Sequence, residues 1–210
     1  MKRRQFLVGA SALSLLQTLQ PASAQTTIPD LLAPGPLPEK SFGNLDAPVT
    51  VIEYASLTCP HCRSFHLDTW PAVKEKYVDT GKVRFIMREF PFDPRASAGF
   101  MLARCAGDEK WYATIDLLYH SQDRWAGVVD PTTALKSLMG IAGMKAEAVE
   151  ACLQDQPLLD KITAIADAGK RYGVNSTPSF FINGKIYKGA LTIATFSEIV
   201  DPLVAAAPKQ

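Results

Sequence analysis

From Val49 to Ala55 the chain reads VTVIEYA, an almost continuous apolar run that ends at a polar turn and predicts a buried strand. A helical pattern follows at once: Phe65, Trp70, Val73 and Tyr77 recur at roughly helical spacing until Gly81 stops it. VRFIMRE, residues 83–89, then sets Val83, Phe85 and Met87 against Arg84 and Arg88, the alternation of a strand.

Residues 96–172 keep a helical period throughout. Ala98, Met101, Leu102 and Cys105 share one face. A second helix is predicted to start at Asp108 and to bury Trp111, Ile115, Leu118 and Tyr119. A third opens with Asp130-Pro131, a capping acid followed by proline at the first helical position, and carries Leu135, Leu138, Met139 and Ala142. Two more helices fit 145–154 and 158–172. Strand patterns return in PSFFING and KIYKGA around Asn183-Gly184, a strong hairpin signal. A last helix is predicted from Ile193 through Phe196, Val200 and Leu203, with Pro202 expected to kink or end it.

The order is therefore strand, helix, strand, helical block, hairpin, helix: an α/β fold. The first three elements can form a right-handed crossover, and the hairpin can extend the same sheet. A helical block of this length is too long for a connection and predicts an inserted lobe. The expected boundaries are a leader over 1–24, an N-terminal arm over 25–40, a sheet domain over 41–95 and 173–210, and an inserted helical domain over 96–172. The arm, QTTIPDLLAPGPLPEK, has four prolines and no apolar period; with no heptad or strand pattern to pair with another chain, it argues for a monomer.

Composition changes this picture little. With 210 residues, 47% hydrophobic and 20% charged, the chain can fill a core. A formal charge of +1 offers no case for nucleic acid as a partner. The first 24 residues pair a basic start with an apolar run from Phe6 to Leu16 and end at Ala22-Ser23-Ala24, the pattern of an export signal. The run is too short to span a bilayer. Arg3-Arg4 before Phe6-Leu7 resembles a twin-arginine signal, and an ordinary secretory signal fits equally well. Removing Lys2, Arg3 and Arg4, and no acid, would take the formal charge from +1 to −2.

Export to the periplasm lets disulfides persist, so the four cysteines, Cys59, Cys62, Cys105 and Cys152, have three possible pairings. The two-residue spacing favours 59–62 and leaves 105–152, with two buried free thiols as the alternative for the latter. Cys59-Pro60-His61-Cys62 falls after a buried strand and at the start of a helix. There the unpaired N–H groups of the first turn and the helix dipole favour a thiolate at Cys59. Pro60 is tolerated at the first helical position, and His61, when protonated, adds favourable charge. Cys62, one turn inward, is placed to attack a mixed disulfide at Cys59. Zinc wants four ligands, commonly in two close pairs, and here there is one CxxC, so no metal is expected.

VIEYASLTCPHC resembles the active-site strand and helix start of DsbA-type thiol:disulfide oxidoreductases of the thioredoxin superfamily. REFPF, ARCAGDEKWYATIDLLY and GVNSTPSFFINGKIYKGA are similar to later stretches in the same order. The resemblance implies a thioredoxin fold with an inserted helical domain, no cofactor, and further site residues. Glu53, six residues before Cys59, matches the family's buried acid, which would have a raised pKa and move the proton of Cys62; the competing reading is a strand-end acid that reaches solvent. Thr177-Pro178 matches the cis-proline loop that offers backbone groups to a substrate strand. Ser176 departs from the glycine common before that pair. Cys105 and Cys152 would then staple the lobe.

The resulting expectation is an exported oxidase that passes the Cys59–Cys62 disulfide to folding proteins and is reoxidised by a membrane redox partner. The alternatives are a disulfide isomerase or reductase, which threonine before Pro178 favours, and a redox-inactive chaperone-like binding module.

Overall fold

The computed structural model describes residues 28–208. The leader expected over 1–24 and the start of the arm lie outside them. A short α1 (Ile28–Leu31) and the proline-rich arm lead into β1 (Lys40–Phe42). Then come β2 (Val49–Ala55), α2 (Pro60–Ser64), α3 (Trp70–Val73) and β3 (Val83–Glu89). Between β3 and the next strand lie α4 (Pro94–Cys105), α5 (Asp108–His120), α6 (Gln122–Trp125), α7 (Pro131–Ile141), α8 (Ala146–Leu153) and α9 (Gln156–Arg171). The hairpin β4 (Ser179–Ile182) and β5 (Lys185–Lys188) and α10 (Ile193–Ala206) close the chain.

The five strands form one sheet in the order β1-β3-β2-β4-β5. β2 and β3 are parallel, joined by the helical crossover, and every other pair is antiparallel. Asn183 and Gly184 turn the hairpin with φ of 45° and 86°, the positive pair that a two-residue I′ turn needs. Side chains alternate across β2. Val49 and Val51 pack with Phe65, Trp70, Tyr77, Phe196 and Val200 on one face, whereas Ile52 and Tyr54 pack with Ile165, Ala166 and Phe181 on the other. The second face is close-packed at Gly169 of α9, where an added Cβ would lie 2.7 Å from the Tyr54 ring.

Two details depart from the sequence reading. Between Phe65 and Trp70 the apolar interval is five, not three or four. The structure resolves it as a π-helical turn over Phe65–Thr69, with a second over Lys74–Val78. Each extra residue turns the next apolar position back onto the sheet, so Phe65 and Trp70 both reach Phe85. Pro202, expected to kink or end the last helix, sits inside α10, which continues to Ala206. Pro202 and Glu198 are both exposed, so solvent can serve the carbonyl that proline leaves without a donor.

The arm does more than link. Three residues too few to show a period, Lys40–Phe42, form edge strand β1 against β3. Glu39 takes a bidentate pair from Arg88, Nε–Oε1 3.0 Å and Nη2–Oε2 2.7 Å, while Arg88 Nη1 also donates to the Tyr54 hydroxyl at 2.9 Å. The inserted helices build their own core from Trp111, Ile115, Leu118, Trp125, Leu135, Leu138, Met139 and Val149, and that core runs into Ala55, Leu57 and Cys62. Cys105 of α4 and Cys152 of α8 are joined in a disulfide with Cα atoms 6.2 Å apart. No helix among the described residues is long and apolar enough to cross a membrane.

Candidate functional site

β2 delivers its C-terminal end to a short turn, Ser56-Leu57-Thr58, and α2 begins at Pro60. Cys59 is the residue before that helix, in extended conformation, and its carbonyl accepts from the Arg63 N–H at 3.1 Å. Pro60 occupies the first turn, where its missing N–H costs no hydrogen bond. Both sulfurs are free thiols: Cys59 is half-buried, and Cys62 is fully buried. Pro60 and His61 are exposed beside them.

Cys59 Sγ lies 3.3 Å from the carbonyl oxygen of Thr177, to which the thiol form can donate. The peptide bond from Thr177 to Pro178 is cis. Thr177 is buried, and its hydroxyl has no hydrogen-bond partner. The Cys59 pKa is lowered to about 5. The largest cause is a hydrogen bond from Cys62, followed by Thr177 and the backbone N–H groups of Cys62 and His61, working against partial burial. What the geometry shows of His61 is therefore its amide at the helix start, with the residue itself exposed.

Cys62 behaves oppositely. Burial, then its hydrogen bond to Cys59 and the charges at Glu53 and Cys59, hold its thiol well above the ordinary range. One donor opposes this: the Ser56 N–H reaches Cys62 Sγ at 3.4 Å. Glu53 shares the sheet face of Val51, and its register neighbours on β3 and β4 are Met87 and Phe180, which bring no counter-charge. Its side chain is enclosed, 2% exposed, and Oε2 has no partner. Burial, then the charge at Cys59, raises its pKa to about 8. A strand-end acid reaching solvent is thus not what the chain builds.

The structure brings Glu53, Cys59, Pro60, His61, Cys62, Thr177 and Pro178 to one end of the sheet, and it leaves Cys105 and Cys152 in the helical insert. It also adds residues that the linear pattern did not reveal. Gln122 of α6 donates from Nε2 to the carbonyls of Leu57 at 2.8 Å and Cys59 at 3.1 Å, gripping the active turn from the insert. Thr58 donates to Asp93 Oδ2 at 2.5 Å while Oδ1 caps α4 through the N–H groups of Arg95 and Ala96. Tyr119 of α5 is buried against the same turn, its hydroxyl 3.5 Å from the Ser56 carbonyl. Asp93-Pro94 is the same cap-plus-proline signal as Asp130-Pro131 and could have been read; nothing local marks Gln122 or Tyr119. No cluster that could hold a metal ion is present among the described residues.

A buried acid with a raised pKa, a half-buried sulfur inclined to be thiolate and a buried sulfur inclined to be thiol are the parts of dithiol–disulfide exchange. Comparison with known proteins agrees. The family model described as Thioredoxin matches residues 38–202. The crystal structure of alpha-DsbA1 from Wolbachia pipientis superposes with a TM-score of 0.75 at 34% identity, covering 84% of this chain and 95% of that one. A protein-disulfide isomerase from Novosphingobium aromaticivorans gives 0.70 at 26% identity, over 79% and 97%. A Rickettsia conorii relative that carries a protein-disulfide oxidoreductase name is 35% identical over 166 residues, 76% of this chain but only 58% of the relative. This chain thus spans about three fifths of that relative's length. By fold, by site and by descent, the chain belongs to the thioredoxin family, in its DsbA-type branch.

Proposed function

We propose that the protein is an exported thiol:disulfide oxidoreductase that oxidises cysteine pairs in folding proteins. The observation that carries this reading is the split between the two sulfurs: Cys59 lowered to about 5 and Cys62 held well above the ordinary thiol range. A low Cys59 pKa stabilises the reduced protein, so the disulfide is an oxidant, and it makes Cys59 the better leaving group.

A substrate thiolate attacks Cys59 Sγ, the Cys59–Cys62 bond breaks, and Cys62 leaves with the electron pair. Glu53, protonated near neutrality, gives its proton to that sulfur. A second substrate thiolate then attacks the substrate sulfur of the mixed disulfide, and Cys59 departs as thiolate. The substrate gains a disulfide and the protein becomes a dithiol. Restoring the disulfide takes a quinone-linked membrane partner that accepts two electrons, and Glu53 recovers the Cys62 proton. The backbone beside Thr177, edge-on to Cys59, is where an extended substrate segment would pair. The export signal expected over 1–24 supports the periplasm as the place of work, and the helical insert over 96–172 acts as the lobe that holds the active turn.

Reshuffling of wrong disulfides is the second reading, favoured by the threonine at Thr177 and by the structural likeness to a protein-disulfide isomerase. Thiol trapping in living cells separates the two. An oxidase has Cys59 and Cys62 mostly bonded at steady state; an isomerase or reductase has both mostly free.

A further inference from the structure

Ser56 sits between two groups. Its N–H donates to Cys62 Sγ at 3.4 Å, and its carbonyl receives the Tyr119 hydroxyl at 3.5 Å. The second contact is long for a hydroxyl donor, which prefers about 2.7–2.8 Å. Tyr119 is 1% exposed and lies in the same packed cluster as Ala55, Leu57, Cys62 and Met87, out of reach of bulk solvent.

The ring is held from behind. His66 packs against it, the rings tilted by 34° with centroids 4.7 Å apart, and His66 Nε2 is fixed by Asp116 Oδ1 at 3.1 Å. His66 comes from the π-helical turn one turn beyond Cys62, so the helix that carries the thiol also braces the tyrosine. The groups facing Cys62 are then Glu53 from β2, Cys59 and the Ser56 N–H from the active turn, and Tyr119 from α5.

We propose that Tyr119 donates a hydrogen bond to the Cys62 sulfur while that sulfur is an anion, both when Cys62 is expelled by an incoming substrate and when it attacks a mixed disulfide at Cys59. In the dithiol state the hydroxyl rests weakly on the Ser56 carbonyl, a contact it gives up for the Cys62 anion. No bond forms or breaks at Tyr119 and it transfers no proton, which remains the task of Glu53. Burial, then the charges at Cys62, Glu53 and Cys59 and a hydrogen bond to Cys62, push its phenol well above the usual range, so it stays a donor at every working pH. The proposal rests on the oxidoreductase reading and adds a donor from the inserted helices to the chemistry of the sheet domain.

The test uses the protein carrying glutathione as a mixed disulfide on Cys59 and follows glutathione release by Cys62 across pH. Tyr119→Phe is expected to slow release about tenfold at neutral pH and to raise the midpoint of the pH–rate curve by about one unit, with the Cys59 pKa of the reduced protein unchanged. Replacing Tyr119 by 3-fluorotyrosine, a stronger donor, should speed release and lower the midpoint. Tyr112→Phe, which alters the other ring beside His66, should leave release unaltered. An unchanged profile in both Tyr119 variants overturns the proposal. So does a slowing by Tyr119→Phe that comes with an equal shift at Cys59, which would mean a disturbed site. A wild-type protein that releases no glutathione at any pH overturns the oxidoreductase reading and this proposal together.

Discussion

Cys59 Sγ meets the carbonyl oxygen of Thr177 at 3.3 Å across 118 positions of sequence. The loop before β4 therefore lies against the reactive sulfur, and the Thr177 side chain is among the causes that hold Cys59 at about 5. Thr177→Val keeps the shape and removes the hydroxyl. The Cys59 pKa should rise by roughly half a unit to one unit, and the reduction potential should fall by about 15–30 mV. Equilibration against glutathione buffers reads the second quantity.

Acid–base linkage gives opposite slopes to two neighbours. In the reduced protein Cys59 is lowered to about 5, so the unfolded chain holds a proton there that the folded chain lacks between about pH 5 and 8.5, and stability rises with pH by about 1.4 kcal/mol per unit. Glu53 is raised to about 8, so the folded chain holds the extra proton between about pH 4.5 and 8, and stability falls by a similar slope. The two should largely cancel in the dithiol form. Only the Glu53 slope survives in the disulfide form, so the reduced protein should gain on the oxidised one as pH rises from 5 to 8. Urea unfolding of both forms at several pH values measures the difference, and Glu53→Gln should flatten the oxidised curve.

Strand β2, strand β3, the Asn183-Gly184 hairpin and the succession of helices were legible because each follows from local periodicity, a cap or a turn pair. So was the placement of Cys59 between a buried strand and a helix start, since seven consecutive residues carry it. Edge strand β1 was not, for three residues show no alternation. Nor were the π-helical turns, although the five-residue step from Phe65 to Trp70 is their trace. Gln122 and Tyr119 reach the active turn from 63 positions away in each case, and such contacts depend on how the insert docks. Pro202 misled because its cost depends on which side of the helix meets solvent.

The insert is held to the sheet domain by a buried ion pair. Arg104 Nε donates to Glu89 Oε1 at 2.6 Å, with side-chain exposures of 8% and 1%, and Arg104 Nη1 reaches the Pro38 carbonyl at 2.8 Å. Arg104→Leu would leave Glu89 charged and enclosed, at a cost of about 3–5 kcal/mol. Removing the exposed Lys76–Asp201 pair should cost far less. Denaturant midpoints of the two variants rank them.

Cys105–Cys152 closes a loop with a sequence separation of 47 inside the insert. Cys105→Ser together with Cys152→Ser should lower stability by about 2–5 kcal/mol. The redox pair lies elsewhere, so the Cys59 pKa should be unchanged. Unfolding curves and thiol titration on the same sample check both halves.

One enclosed end of the sheet drives the two sulfurs apart in acidity, and ultraviolet thiolate absorbance of the reduced protein against pH tests this most directly. One thiolate should appear with a midpoint near 5, lost in Cys59→Ser and retained in Cys62→Ala with its midpoint shifted upward, because the hydrogen bond from Cys62 is the largest cause of the lowering. The second thiol should not ionise until well above the ordinary thiol range. Two thiols titrating together near 8.5, the unperturbed value, would contradict it.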